Sequence, residues 1–195
     1  WNTYLLAYSG SGDDGYLKTF DIPLDGSKID QVHFYEHDNT YSEFNSLVEL
    51  SPNYFVIASK GYDNHLRQNG GWGAWVKTYK VSNDGKTITG IASERHNASG
   101  YNAGYYNSMI KLDEDSYALA HQNYGNPWLG WLKTFTISAD GATITEESNQ
   151  QIFTADNNQG NSGYYNSTLK LDSDHILVQS RDRYADGWVI SYKIS

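Results

Sequence analysis

Gly130-Trp131-Leu132-Lys133-Thr134-Phe135-Thr136-Ile137 is one of four copies of a single phrase. The others are Gly15-Tyr16-Leu17-Lys18-Thr19-Phe20-Asp21-Ile22, Ala74-Trp75-Val76-Lys77-Thr78-Tyr79-Lys80-Val81 and Gly187-Trp188-Val189-Ile190-Ser191-Tyr192-Lys193-Ile194. Their second residues, all aromatic, stand at 16, 75, 131 and 188, spaced 59, 56 and 57 residues apart. A strand-built repeat of this length predicts stacked or radially arranged β-units.

Working outward from the copy at 130–137 gives the whole unit. Asn107 to Leu112 reads as a short strand, closed by an acidic turn at Asp113-Glu114-Asp115. Tyr117 to His121 is an almost unbroken apolar run, as expected of a strand buried on both faces. A longer loop leads into Trp131–Ile137, whose Lys133 and Thr134 are expected to face away from its apolar residues, and Asp140-Gly141 then turns the chain into the polar, alternating stretch Ala142 to Glu146. Asp-Gly between two alternating runs is a strong hairpin signal, because glycine takes φ > 0 at little cost. The same turn recurs at Asp25-Gly26 and Asp84-Gly85. Lettered A to D, the four strands predict an antiparallel meander, apolar at first and wet at the last strand, as in a propeller blade.

The predicted fold is therefore all-β: a β-propeller-like array of four-stranded antiparallel blades, about 57–59 residues per repeat, without helices. One repeat domain spans 1–195, with units near 1–38, 45–97, 107–152 and 166–195. A β-sandwich is the structural competitor, but sandwiches rarely repeat four equivalent elements. The first unit lacks strand A and the last lacks strand D, so the array is incomplete at both ends. Open sheet edges of this kind recruit another chain. The opening at Trp1, without a methionine, reads as a processed or excised start.

Three further strings mark the unit. Phe44-Asn45-Ser46, Tyr106-Asn107-Ser108 and Tyr165-Asn166-Ser167 open strand A, and their asparagines are expected to bond backbone at the crossover between blades. The strand C aromatics Tyr16, Trp75, Trp131 and Trp188 are expected to pack between units. With the Ser-x-Asp-Gly-x-Thr turn, these phrases resemble the broad group of β-propeller repeat proteins, including its lectin-like members. The turn Ser82-Asn83-Asp84-Gly85-Lys86-Thr87 is similar to an Asp-box, with its glycine one place early and no tryptophan following. No Trp-Asp dipeptide or kelch double glycine stands in register, so no residue roles carry over from those families.

Composition narrows the function classes. Aromatic content is 15%, with 17 Tyr and 6 Trp, supplying apolar bodies with polar tips. A net charge of −9 opposes binding to nucleic acid, which needs clustered Lys and Arg. Cysteine is absent, which excludes disulfides and thiolate metal sites. No apolar run reaches the ~20 residues of a membrane helix.

The A–B and C–D turns are short and uniform, whereas the B–C and D–A connections are long and differ between units. Binding residues concentrate on long loops of a rigid scaffold. The B–C loops offer Tyr62, Asp63, His65, Arg67 and Trp72, then Tyr124, Asn126 and Trp128, then Arg181, Arg183 and Tyr184. The D–A connections add Arg95, His96, Tyr101 and Asn102. Amide, carboxylate and guanidinium groups beside aromatic rings are what sugar recognition requires: planar partners for hydroxyl pairs and a face for the pyranose. The same aromatics would also serve as caps on blade interfaces.

Several shallow sites on one rigid scaffold would gain by avidity. The expected function is thus a non-enzymatic, lectin-like glycan binder, outside the cell or at its surface. The alternative is a structural protein whose open ends pair between copies of itself. No nucleophile elbow or zinc-protease motif exists, and the loop carboxylates single out no catalytic pair for a polysaccharide hydrolase or lyase. No cofactor is expected; calcium is the one ion for which Asp13-Asp14 or Asp172-Ser173-Asp174 carries suitable oxygens.

Overall fold

The computed structural model describes residues 2–63, 71–97, 103–123, 129–153, 163–182, 184 and 186–194. Fourteen strands form four antiparallel sheets in chain order. Sheet one contains β1 (Thr3–Ser9), β2 (Gly15–Asp21) and β3 (Asp30–Asp38). Sheet two contains β4 (Ser42–Ser51), β5 (Tyr54–Asp63), β6 (Gly71–Val81) and β7 (Ile88–Asn97). Sheet three contains β8 (Ala103–Lys111), β9 (Ser116–Asn123), β10 (Leu129–Ile137) and β11 (Ile144–Phe153). Sheet four contains β12 (Tyr164–Lys170), β13 (His175–Arg181) and β14 (Gly187–Lys193). Each is a plain meander, so the fold is the predicted all-β propeller-like array, three-stranded at either end. No α-helix occurs among the described residues.

The repeat holds residue by residue. Tyr16, Trp75, Trp131 and Trp188 face Tyr8, Ser59, His121 and Ser180 across the B–C ladder. The three C–D ladders share two bulges, one just before the aromatic and one after the threonine of Lys-Thr. Their exposure differs: Trp75 is 2% exposed and Trp131 half-buried, whereas Trp188, with no outer strand beside it, is 51% exposed.

Strands β4, β8 and β12 lie next to one another and form the inner wall. Between successive sheets lie three apolar cores. Leu17, Ile57, Val81 and Ile88 fill the first; Leu50, Val56, Tyr117, Phe135 and Ile137 the second; Leu112, Ala120, Ile176 and Val178 the third. Each inner sheet thus buries one face against its predecessor and the other against its successor. This sandwiching requires near-continuous apolar strands such as β9.

Polar pins repeat beside the cores. The Ser-x-Asp-Gly-x-Thr turns at 82–87 and 138–143 are built alike: serine Oγ–H donates to the aspartate at 2.7 Å in both, and threonine N–H donates to that Oγ at 2.9 and 3.0 Å. The glycine of each turn then receives the previous sheet. Thr19 Oγ1 donates to the Gly85 carbonyl at 2.6 Å, and Thr78 Oγ1 donates to the Gly141 carbonyl at 2.7 Å. At φ +70, both glycines take a left-handed conformation that permits this approach. Lys111 and Lys170 likewise donate to the carbonyls of Leu50 and Leu112 in the preceding sheet.

Two local expectations change. Strand A of sheet three begins at Ala103 rather than Asn107, because a bulge interrupts the alternation that marks a strand. Lys133, expected to turn away from the apolar residues, is 2% exposed; its ammonium donates to the His96 carbonyl and to Glu146 at 2.8 Å.

Replacing Thr78 by valine keeps its shape but strands the Gly141 carbonyl and the Ala92 N–H, which donates to Thr78 Oγ1 at 3.0 Å. The expected loss is about 1–3 kcal/mol of folding stability. Thr134→Val, whose hydroxyl meets the exposed Ser148 at 2.7 Å and no other partner among the described residues, should stay within about 0.5 kcal/mol of the parent. Urea unfolding of the two variants side by side checks both.

Candidate functional site

Where the D–A connections enter the inner wall, three aromatic residues share one unusual backbone state. Phe44, Tyr106 and Tyr165 stand at φ 54, 53 and 54. A left-handed conformation costs a residue with a Cβ roughly 1–2 kcal/mol, and three occurrences at one register make it a built feature. Each sits in a bulge, marked by register shifts at Glu43/Ser46, Tyr105/Ser108 and Tyr164/Ser167. A bulge re-aims the side chain it carries. Here it aligns rings across three sheets. Centroids lie 4.8 Å apart for Phe44 and Tyr106, and 4.6 Å apart for Tyr106 and Tyr165. Tyr105 flanks Phe44 at 5.2 Å and Tyr164 flanks Tyr106 at 5.7 Å.

The asparagine that follows each aromatic fixes its predecessor. Asn107 Nδ2 donates to the Phe44 carbonyl at 3.1 Å and to the Gly104 carbonyl at 2.8 Å. Asn166 Nδ2 donates to the Tyr106 carbonyl at 3.1 Å. This is the backbone bond between blades that the sequence predicts. Asn45 differs: its Nδ2 reaches Ser9 Oγ at 3.4 Å, since sheet one has no inner strand carrying an equivalent aromatic.

Charged groups border the row. The buried Lys60 ammonium lies 4.0 Å from the Tyr105 ring centre, 4.8 Å from that of Tyr41 and 3.6 Å from Glu43 Oε2. Tyr41 donates its hydroxyl to Glu43. Burial, and then the Glu43 hydrogen bond and charge, push the Tyr41 phenol well above its usual range. At the other end the Arg181 guanidinium lies 5.7 Å from the Tyr165 ring centre. Rings, phenols, a carboxylate and the Arg181 guanidinium thus share one surface, with the buried Lys60 behind it, able to stack a flat apolar face and bond hydroxyls around it.

Of the residues predicted from the sequence, four have described side chains. Arg181 joins this row. Tyr184 is exposed nearby, its N–H donating to Asp182 at 2.8 Å. Arg95 lies over Trp75 at 5.9 Å, and its Nε donates to the Asn97 carbonyl at 3.3 Å. His96 is 6% exposed and packs edge-on against His121 at 5.0 Å and Phe135 at 5.7 Å, inside the interface between sheets two and three. Tyr62 and Trp72 pair through their backbones, and Asp63 pairs with Gly71. The side chains of Tyr62, Asp63 and Trp72, and all of His65, Arg67, Tyr101, Asn102, Tyr124, Asn126, Trp128 and Arg183, lie outside the described residues. The signal that finds the row is Phe/Tyr-Asn-Ser itself: its aromatic recurs as faithfully as its asparagine.

Asp172, Asp174 and His175 bring one ligand atom each within 4.8 Å of one another. Asp172 Oδ1 already accepts the N–H groups of Asp174 and His175 at 3.0 and 2.8 Å, and the His175 ring lies at 2.9 Å. These are the bonds of a tight turn.

No family model and no curated protein matches the chain. Solved structures do. The NanB sialidase of Streptococcus pneumoniae superposes with a TM-score of 0.63 at 15% identity, over 99% of this chain and 29% of the sialidase. A putative 6-phosphogluconolactonase of Bacteroides fragilis gives 0.57 at 10% identity, over 99% of this chain and 54% of that one. An endo-1,4-β-xylanase of Bacteroides thetaiotaomicron gives 0.50 at 11% identity, over 100% and 73%. The chain therefore spans under a third of the sialidase and about half of the lactonase. The propeller-like fold is one shared with carbohydrate-active proteins. These neighbours are enzymes, which overturns the expectation of a non-enzymatic chain: the fold is of an enzyme type. No described helix is long and apolar enough to cross a membrane.

The histidines between sheets predict the acid response. Burial, reinforced by the Lys77 charge and opposed by Asp38, lowers His37 to about 4. Burial and the Lys133 charge lower His121 to about 3, and burial, His121 and Lys133 hold His96 well below its usual value. Folded pKa values below the unfolded value of about 6.5 mean that the unfolded chain binds more protons in acid. Their contribution is complete above about pH 6.5 and falls away as the pH drops toward 4. Thermal melts should decline across that window, and His121→Leu should flatten the decline.

Proposed function

We propose that this chain is a carbohydrate-recognising β-propeller module, acting outside the cell, that binds saccharide on the row Phe44, Tyr105, Tyr106, Tyr164 and Tyr165. One observation carries the reading: three strained aromatics are held in register on the inner wall beside Lys60, Glu43 and Arg181. Conformational strain is tolerated where surrounding structure over-determines it, typically at working sites. Rings spaced along the wall suit successive sugar units of one glycan, and the flanking charges suit their hydroxyls. The loop residues expected from the sequence, Trp72, Tyr101, Asn102, Tyr124, Asn126 and Trp128 among them, are part of this proposal as further contacts for the glycan.

A second reading, pairing between copies of the chain, has its own observation. Leu112 and Leu132 are buried against sheet four, whereas their counterparts Leu171 and Val189 are exposed on its far face. At the opposite end Tyr4 and Leu6 are exposed where Tyr117 and Leu119 are buried. An outer face of sheet four would meet an outer face of sheet one as internal faces meet each other.

Glycan-array screening followed by titration of the best ligand tests the first reading. Tyr106→Ala should weaken binding about tenfold, equal to about 1.4 kcal/mol, and unchanged affinity would reject it. Sedimentation equilibrium tests the second: reversible association abolished by Leu171→Lys supports it, and a single-chain mass at every concentration rejects it.

A further inference from the structure

A cleft of about 490 Å³ opens between sheets one and two, within the ~300–1,000 Å³ usual for small-ligand sites. Its walls come from β3, which supplies Tyr35, His37 and Asp38, from Lys77 and Tyr79 on β6, and from residues 90–93 of β7. At the same place between sheets two and three stands the Glu146 carboxylate.

Lys77 and Lys133 occupy one register. The Lys133 ammonium is filled: it donates to the His96 carbonyl and lies 2.8 Å from both Glu146 oxygens. Glu146 stands opposite Phe135, immediately after the second bulge. The residue at that place in sheet two, opposite Tyr79 and after the same bulge, is Gly90. A carboxylate appears elsewhere instead. Asp38, opposite Gly15, takes the place that Asn97, opposite Ala74, holds in the next sheet. Its Oδ2 lies 2.8 Å from Lys77 Nζ, with side chains 6% and 13% exposed.

The counter-charge has thus been moved, and the space it would have filled is left open. Among the described residues Asp38 is the one hydrogen-bond acceptor of Lys77, so two of the three ammonium N–H bonds are free for a ligand. Asp38 Oδ1 is saturated by Thr40 and Tyr41, which fixes the pair in place. The pair is neutral already. A ligand carboxylate would bring an uncompensated charge beside Asp38 and Glu36, whereas hydroxyl oxygens would accept from Lys77 without that penalty. Tyr35 and Tyr79, ring centres 6.3 Å apart and inclined at 67°, give the cleft an aromatic side.

We propose that this cleft is a second, separate saccharide site, taking a neutral sugar unit whose hydroxyls accept hydrogen bonds from Lys77. The proposal extends the carbohydrate reading but uses none of the residues of the aromatic row. Gly90→Glu restores the side chain that stands at this place in the neighbouring interface. A Cβ there meets nothing nearer than Tyr79 Cε1 at 3.7 Å, so the variant is expected to fold.

Isothermal titration of the parent chain, Gly90→Glu, Gly90→Gln and Tyr106→Ala with glucose, galactose, mannose and glucuronic acid tests it, with thermal melts as the folding control. The parent should take up at least one neutral sugar more tightly than glucuronic acid. Both Gly90 variants should lose about tenfold or more of that affinity, and Tyr106→Ala should retain it. Binding lost in Tyr106→Ala but kept in both Gly90 variants overturns the cleft and leaves the aromatic row standing. Loss in the Gly90 variants alone supports the cleft and leaves the row to its own glycan titration. A preference for glucuronic acid, or no uptake of any of the four sugars by the parent, overturns the cleft outright.

Discussion

The bond on which the inner wall depends runs from an asparagine amide to the carbonyl of a left-handed aromatic one sheet earlier. The bulge itself sets the left-handed state, since Tyr165 stands at φ 54 with no asparagine clasp on its carbonyl among the described residues; the state costs roughly 1–2 kcal/mol. The bond from Asn107 to Phe44, and its repeat from Asn166 to Tyr106, ties that local strain to the packing of successive sheets. One contact therefore does two jobs. It ties one inner strand to the next, and it fixes the carbonyl of the aromatic whose ring stands in the row.

The remaining pins follow the same plan. Three pins join sheets two and three: threonine to the turn glycine, lysine to a leucine carbonyl and asparagine to the aromatic carbonyl; sheets one and two repeat the first, and sheets three and four the other two. Apolar cores between them carry most of the burial. Because the pins repeat, a departure from the repeat is informative. Gly90 against Glu146 and Asp38 against Asn97 are two changes that compensate in charge but not in volume, and a cleft is the result.

Much of the fold is legible in the residues alone. The four Gly-aromatic-Leu-Lys-Thr-Phe phrases mark strand C and its register, and the Asp-Gly turns mark the C–D hairpins, because both signals are local and steric. The inner strands extend further than their pattern suggests, since a bulged aromatic at φ > 0 leaves no mark in an alternation and aromatics rarely adopt that state. In the sequence His96 stands in a D–A connection and so reads as a loop-face binder. Near strand ends, alternation does not say which face turns inward, and His96 turns in. Lys133 misleads in the opposite sense, because its burial depends on Glu146 and the His96 carbonyl, which only the assembled sheets bring to it. Enzyme relatives of the fold are illegible because shared topology at 10–15% identity leaves no shared motif.

The most direct test of the asparagine clasp is the unfolding free energy of Asn107→Ala measured against Asn45→Ala. Asn107 holds the Phe44 carbonyl and should cost about 1–3 kcal/mol when removed, whereas Asn45, whose Nδ2 reaches Ser9 Oγ at 3.4 Å and whose Oδ1 accepts from Ser42 Oγ at 3.0 Å, clasps no aromatic carbonyl and should cost less, about 1 kcal/mol or under. Equal losses in the two variants, or none in Asn107→Ala, would contradict the account.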